Sequence, residues 1–177
     1  MTIVPGRAMQ LIDRVVSDED AEIQLATQPS AILVKTPRAT IYARLVEGRF
    51  PKWREVIPNR PDAIQFEMAI GPLHTAVRQA AIVASEESRG IDLVFGEGTL
   101  LLKGSTAEVG DTRVQLPIPY DGEKVTVTID HRFLADFLKV LDPDKTFTIE
   151  IKDSEGAIRC TTGDGYDYVV MPLSQDR

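Results

Sequence analysis

The residues that could carry covalent or metal chemistry are scarce in this chain. It has two histidines, His74 and His131, and one cysteine, Cys160. Two imidazoles cannot make a zinc site without carboxylate help, and a single cysteine excludes both a disulfide framework and a cysteine-rich zinc cluster. His74 and His131 fall near the starts of two different helical patterns and have no motif partner, so surface or capping roles fit them. Cys160 sits in a strand-like run, where a small buried hydrophobe fits better than a nucleophile. Glu86-Glu87 precedes Ser88-Arg89-Gly90 in a loop and reads as solvated. Gly163-Asp164-Gly165 looks like a metal loop but lacks the downstream bidentate Glu such loops need. No Gly-x-Ser-x-Gly, P-loop or Gly-x-Gly-x-x-Gly is present. Catalytic constellations are therefore weak and no metal or cofactor is expected, while an enzyme using His74, His131 or Cys160 remains an alternative.

Basic residues recur in a more regular way. Arg7 and Arg14 are seven apart, His74 and Arg78 four apart, and Arg132 and Lys139 again seven apart. Each pair shares one side of a helix. Acids on the same helical stretches are fewer, Asp13 and Asp136. Such a layout suits helices facing a phosphate backbone, but solvated amphipathic helices carry it more commonly. Spacing alone does not decide between the two.

Those helices need elements to hold them. Ile64, Phe66 and Met68 alternate as a strand, and a helix pattern follows over 71–85 with Leu73, Val77, Ala80 and Ala84 on one stripe. Strands are expected over 91–95, 99–103 and 112–119, the first two joined by the hairpin signal Gly96-Glu97-Gly98. The order then restarts. Val125, Val127 and Ile129 alternate, and Asp130 is placed to cap a helix over 131–141 with Leu134, Phe137, Leu138 and Leu141 inward and Pro143 as its stop. Strands follow over 146–151, 157–161 and 166–171. Before residue 57 the same order is readable without most of its first strand. A helix runs to about Val16, with Met9, Ile12, Val15 and Val16 inward, and strands are expected near 21–26, 30–36 and 39–46. The helices start near 6, 71 and 131, a period of roughly 60 residues, longer than ordinary solenoid repeats.

The repeated unit is therefore strand–helix–strand–strand–strand, and the fold class is α+β with helices on one face of antiparallel sheets. One unit alone leaves its sheet edges open. Two can pair and bury both helices. The turn-rich stretch Pro58-Asn59-Arg60-Pro61 marks a boundary, giving an incomplete domain over 1–57 and a complete one over 58–177. Ile82 points away from the inward stripe of its helix, which fits either a protein contact or a single exposed aliphatic.

The chain has 177 residues, 43% hydrophobic and 27% charged, with 20 Lys plus Arg against 27 Asp plus Glu and a net charge of −7. That is an ordinary globular composition, and it argues against a surface that is basic throughout. Residues 1–7 contain no apolar signal core, and no stretch approaches the ~18 apolar residues of a membrane span. The expected location is cytoplasmic, with no membrane partner.

Two segments carry more than packing. Gly48-Arg49-Phe50-Pro51-Lys52-Trp53 puts aromatic residues into a connector, and Tyr168-Val169-Val170-Met171-Pro172 ends the last strand in apolar groups. Together they resemble motifs of the bacterial sliding clamp, the beta subunit of DNA polymerase III. Ala80-Ala81-Ile82-Val83 with Ser88-Arg89-Gly90 resembles that family's third-domain helix and the loop after it. His131-Arg132-Phe133-Leu134 with residues 138–141 resembles its second helix. The resemblance runs from Val4-Pro5 to Leu173 and covers the second half of the middle clamp domain and all of the third.

The resemblance implies a DNA-clamp fold of β-α-β-β-β half-units and a non-enzymatic processivity factor for DNA polymerase III in DNA replication. It implies a head-to-tail homodimer closing a ring around duplex DNA without reading sequence, with Arg7, Arg14, His74, Arg78, Arg132 and Lys139 facing the DNA. It implies a dimer contact centred on Ile82 and Val83. It also implies a groove for short linear peptides of the replicative polymerase subunit, the clamp loader and repair proteins, lined by Pro51, Val56, Val169, Val170, Met171, Pro172 and Leu173. Two features depart from the family pattern: Glu55 stands where a basic residue is usual, and the chain continues past Met-Pro as Ser174-Gln175-Asp176-Arg177. A family chain is about twice as long. The alternative is a stand-alone clamp-like module that binds clamp-binding peptides or a full clamp without encircling DNA.

Overall fold

The structure is a computed structural model describing residues 2–16, 22–85, 87 and 89–174. The chain divides into two compact units, Met1–Trp53 and Arg54–Arg177.

Unit 1 contains helix α1 (Gly6–Val15) and strands β1 (Gln24–Gln28), β2 (Ala31–Lys35) and β3 (Thr40–Arg44). The strands form an antiparallel sheet in the order β1-β2-β3. Pro5 starts α1, its carbonyl accepting the N–H groups of Ala8 and Met9. Ile32 and Val34 alternate inward from β2 and are buried with Ala31 and Ala8. Met9, expected inward, is half exposed instead. The reason is placement: α1 lies chiefly against β3, which leaves the β1 side of the sheet uncovered. The strand expected near 21–26 begins at Gln24, and Ala21 lies outside the described residues.

A single helical turn, α2 (Trp53–Val56), falls at the boundary between the units. Unit 2 then runs β4 (Ile64–Ala69), α3 (Ile70–Ala81), β5 (Gly90–Gly96), β6 (Thr99–Thr106), β7 (Gly110–Pro117), β8 (Val125–Asp130), α4 (His131–Lys139), β9 (Thr146–Ile151), β10 (Ile158–Thr161) and β11 (Asp167–Val170). The expected order of elements is present throughout. Between β5 and β6, Glu97 and Gly98 both take positive φ, 54° and 70°, the geometry of a two-residue hairpin turn.

Two four-stranded antiparallel sheets result, ordered β11-β10-β9-β4 and β7-β6-β5-β8. Neither belongs to a single repeat. Each takes three consecutive strands from one repeat and the first strand of the other. The cause is direction. A strand and the strand that follows its helix run parallel, so in an antiparallel sheet β4 cannot pair with β5 and pairs with β9 instead, as β8 pairs with β5. α3 and α4 pack on each other over the inner faces of the sheets. Their stripes, Leu73, Ala76, Val77 and Ala80 on α3 and Leu134, Phe137 and Leu138 on α4, close one core with Phe66, Met68, Leu93, Phe95, Val127, Ile149 and Cys160.

Both helices stop earlier than the periodicity predicts. α3 ends at Ala81, and tighter turns follow, Ile82 N–H to Gln79 C=O at 3.3 Å and Ala84 N–H to Ala81 C=O at 3.2 Å. Ala84 still packs against the core from this turn. α4 ends at Lys139, and the Pro143 carbonyl beyond it accepts the Gly71 N–H at 3.0 Å, tying the end of α4 to the start of α3. Gly71 is required there, since a Cβ on it would meet that carbonyl oxygen at 2.9 Å.

Candidate interaction surfaces

The groups that could do chemistry are withdrawn from it. Cys160 is buried in the core, and burial pushes its thiol up to about 12, so it is no nucleophile at neutral pH. Burial holds the His131 imidazole below its ordinary value. Asp164 accepts from the Thr162 hydroxyl and from the Tyr166 N–H, and these bonds hold its carboxyl below the usual carboxylate range. Glu87 is exposed, and Glu86 lies outside the described residues. Among the described residues no group of three or more His, Cys, Asp or Glu could hold a metal ion.

The helix cations sit where amphipathicity puts them. Arg7 and Arg14 on α1, Arg78 on α3 and Lys139 on α4 are exposed, and His74 is half-buried. Arg132 differs. Asp130 caps α4 by accepting the Arg132 N–H at 3.0 Å, and the same carboxylate accepts from the Arg132 guanidinium, from Nε at 3.0 and 3.2 Å and from Nη2 at 2.5 Å. Those bonds hold the Asp130 carboxyl below its usual value. The charge expected to face outward at Arg132 is already compensated by its neighbour.

At the end of α3, Ile82 is 75% exposed, as its place off the inward stripe predicts. Val83 is half-buried and lies close to β6, its Cγ2 3.1 Å from where a Cβ on Gly104 would stand. Ile82 borders an open depression of about 920 Å³, shared with Arg89, Val109, His131 and Arg132. Val109, exposed in the turn between β6 and β7, was not expected from sequence. An aliphatic residue in the polar turn Thr106-Ala107-Glu108-Val109-Gly110 was the available signal. Beside it β7 is the edge strand of its sheet among the described residues.

The C-terminal segment is built on α4. Tyr168 stacks on Phe137 with ring centroids 5.0 Å apart, and Tyr166 lies 5.8 Å from the same ring. These contacts fix β11, from which Met171 emerges largely exposed while Pro172 and Leu173 are half-buried. Leu173 N–H donates to Thr128 C=O at 2.8 Å, fastening the tail to β8. Val170, expected on a groove wall, faces inward and is 2% exposed; its side chain belongs to the core behind that wall. Val169 is half-buried on the opposite face of β11. Pro51 in unit 1 and Val56 at the end of α2 are both exposed.

Helices backed on antiparallel sheets, assembled from a repeated segment with exchanged first strands, define a DNA-clamp fold. Solved structures agree with that class. The DNA polymerase III subunit beta of Pseudomonas aeruginosa matches with a TM-score of 0.85 and 24% identity, covering 98% of this chain and 48% of that one. Sliding clamps of Pseudomonas aeruginosa and Bartonella birtlesii, each bound to griselimycin, match at TM-scores of 0.82 and 0.83, each covering 98% of this chain and 47% of that one. In sequence, residues 54–174 match the family model described as DNA polymerase III beta subunit, C-terminal domain. The beta sliding clamp of Pseudomonas aeruginosa is 25% identical over 175 residues, 97% of this chain and 47% of that protein. That of Chlamydia trachomatis is 26% identical over 171 residues, 97% of this chain and 40% of that protein. The chain belongs to the DNA polymerase III beta subunit family, the sliding clamps of DNA replication, whose members are non-catalytic. It spans about half the length of the curated relatives it matches.

Proposed function

We propose that this chain does the work of the C-terminal half of a bacterial sliding clamp: it helps to hold DNA polymerase III on duplex DNA in the cytoplasm and docks the short peptides of proteins that use the clamp. In this reading unit 1 supplies the second half of the middle clamp domain and unit 2 the complete third domain. Arg7, Arg14, His74, Arg78 and Lys139 attract phosphates without reading bases, and the overall negative charge keeps the rest of the surface off nucleic acid. Arg132, held by Asp130, contributes little to that field. Ile82 and Val83 form the apolar centre of the contact with another clamp subunit, and Val109 enlarges it.

The observation that carries the peptide-docking part is the C-terminal segment. Met171 stands exposed on a strand fixed by aromatic stacking, with Pro172 and Leu173 fastened beside it. Small apolar anchors set among immobile neighbours are what a short linear peptide needs. With Val56 and Val169 they make the proposed docking surface on unit 2. Calorimetry with a peptide carrying a glutamine followed by apolar residues tests it. Met171→Ala combined with Val56→Ala is expected to weaken binding by about tenfold or more, ~1.4 kcal/mol. Unchanged affinity overturns the site.

A second reading rests on the exposed apolar groups Ile82 and Met171 alone. It is a clamp-like module that captures clamp-binding peptides, or caps a full clamp, without encircling DNA. Binding to a full-length clamp without retention on circular DNA supports this second reading over the first.

A further inference from the structure

The stretch Pro58-Asn59-Arg60-Pro61, which the sequence marks as a boundary, lies inside unit 2 and is tied down there. Arg60 donates from Nη1 to the Ala157 carbonyl oxygen at 3.1 Å, 97 positions later in the chain. Two residues on, Asp62 accepts from the Lys152 ammonium at 2.8 Å. Lys152 and Ala157 are the first and last residues of the connection between β9 and β10, so the segment clasps that connection at both ends. Asp153 shapes the connection itself, accepting the N–H groups of Glu155 at 3.0 Å and of Gly156 at 2.6 Å. Gly156 leaves the space that Arg60 needs. A Cβ on it would stand 2.8 Å from Arg60 Nη1 and 3.0 Å from Asp153 Oδ1, both of them ends of side chains.

The two ties differ in weight. Asp62 and Lys152 are exposed, and solvent screening leaves such a pair worth little. The Arg60 bond ends on a buried residue, Ala157, and a carbonyl withdrawn from water is costly to leave without its donor.

What Arg60 grips lies next to the proposed docking surface. β10 and β11 run antiparallel with Ile158 opposite Val170. One step further along that register sets Ala157 across from Met171, the exposed residue on which the docking reading stands. In the other direction along the chain, Val56 is four residues from Arg60, a reach of at most about 14 Å. Val56 ends α2, a four-residue turn with no buried residue and too short to hold itself.

We propose that Arg60 is a positioning residue for peptide docking: by gripping the Ala157 carbonyl it holds the segment between α2 and β4 against the β9–β10 connection, and so presents Val56 to the same peptide that Met171 anchors. The proposal rests on the docking reading above. Arg60 acts here without touching the peptide. A surface fixed before the peptide arrives spares the complex the cost of ordering it.

Two measurements on the 177-residue chain test it: calorimetry with the peptide carrying a glutamine followed by apolar residues, and amide hydrogen exchange over residues 54–63. Arg60→Ala is expected to weaken binding about fivefold and to speed exchange over 54–63. Arg60→Lys, which keeps a donor, should recover part of the affinity. Gly156→Ala should act as Arg60→Ala does, because its methyl group displaces the end of the Arg60 side chain and no backbone. The double variant should bind no more weakly than either single one. Gly156→Ala decides the matter if Arg60→Ala fails to fold. Native affinity in both variants, with binding lost in Met171→Ala combined with Val56→Ala, overturns the proposal and leaves the docking reading standing. Weakened binding with unchanged exchange, or losses that add in the double variant, overturns it as well, since Arg60 would then act by direct contact. Affinity indifferent to Met171→Ala combined with Val56→Ala removes the docking reading and the proposal with it.

Discussion

Asp130 does two things with one carboxylate: it caps α4 and it neutralises Arg132. Asp130→Ala is expected to cost about 1–2 kcal/mol in urea unfolding, the size of a lost N-cap. The pH dependence has a definite sign. The Arg132 bonds lower the Asp130 pKa in the folded protein from its ordinary 3.8, so its contribution is complete above that value and is lost as pH falls through the lower folded one. The stability gap between the native protein and Asp130→Ala should therefore close in acid; a gap independent of pH overturns the account. Residue types were legible in the sequence here, and the cap was too, because Asp ahead of an apolar helical stripe is a local signal. The compensation of Arg132 was not. Helical spacing gives the direction of a side chain but not what it meets. Val170 shows the same limit: strand alternation sets its parity, but only the packing of β11 on α4 says which parity faces the core.

At the scale of elements, periodicity found the order of helices and strands, since each element's apolar pattern is a property of its own few residues. It could not find strand neighbours. The pairing of β4 with β9 across some eighty residues depends on direction and on the second repeat, neither of which alternation records. Helix ends were overrun for a related reason. Ala84 keeps the apolar spacing of α3, but the chain reaches the core at that point through a turn. Close approach between elements is set by glycine at Gly104 in β6, where an added Cβ would press on the Ala80 carbonyl oxygen and on Val83. Gly104→Ala is expected to lower stability by about 1–3 kcal/mol and to displace the end of α3 where Ile82 stands. Thermal unfolding together with the Ile82 methyl signals in NMR checks both effects.

For the molecule as a whole, the decisive property is which apolar groups the fold leaves outside. Ile82 is exposed, so Ile82→Asp should leave unfolding within about 0.5 kcal/mol of the native protein while weakening association with a full-length clamp. A large loss of stability on that substitution would make Ile82 part of the core. Unit 1 exposes Leu25, and Met9 where the equivalent helix positions of unit 2, Leu73 and Leu134, are buried. The sequence revealed the odd number of repeats but not this contrast in burial, which appears only when equivalent positions of the two units are compared.

The crossing of β4 and β8 between the sheets has one more consequence. Severed in the connection after Pro117, unit 2 would yield two pieces, each carrying a strand that only the other can house. Neither piece has a finished sheet by itself, and each is the template for its mate. Such a pair is suited to fragment complementation: a reporter that is silent while the pieces are apart and is restored when they meet.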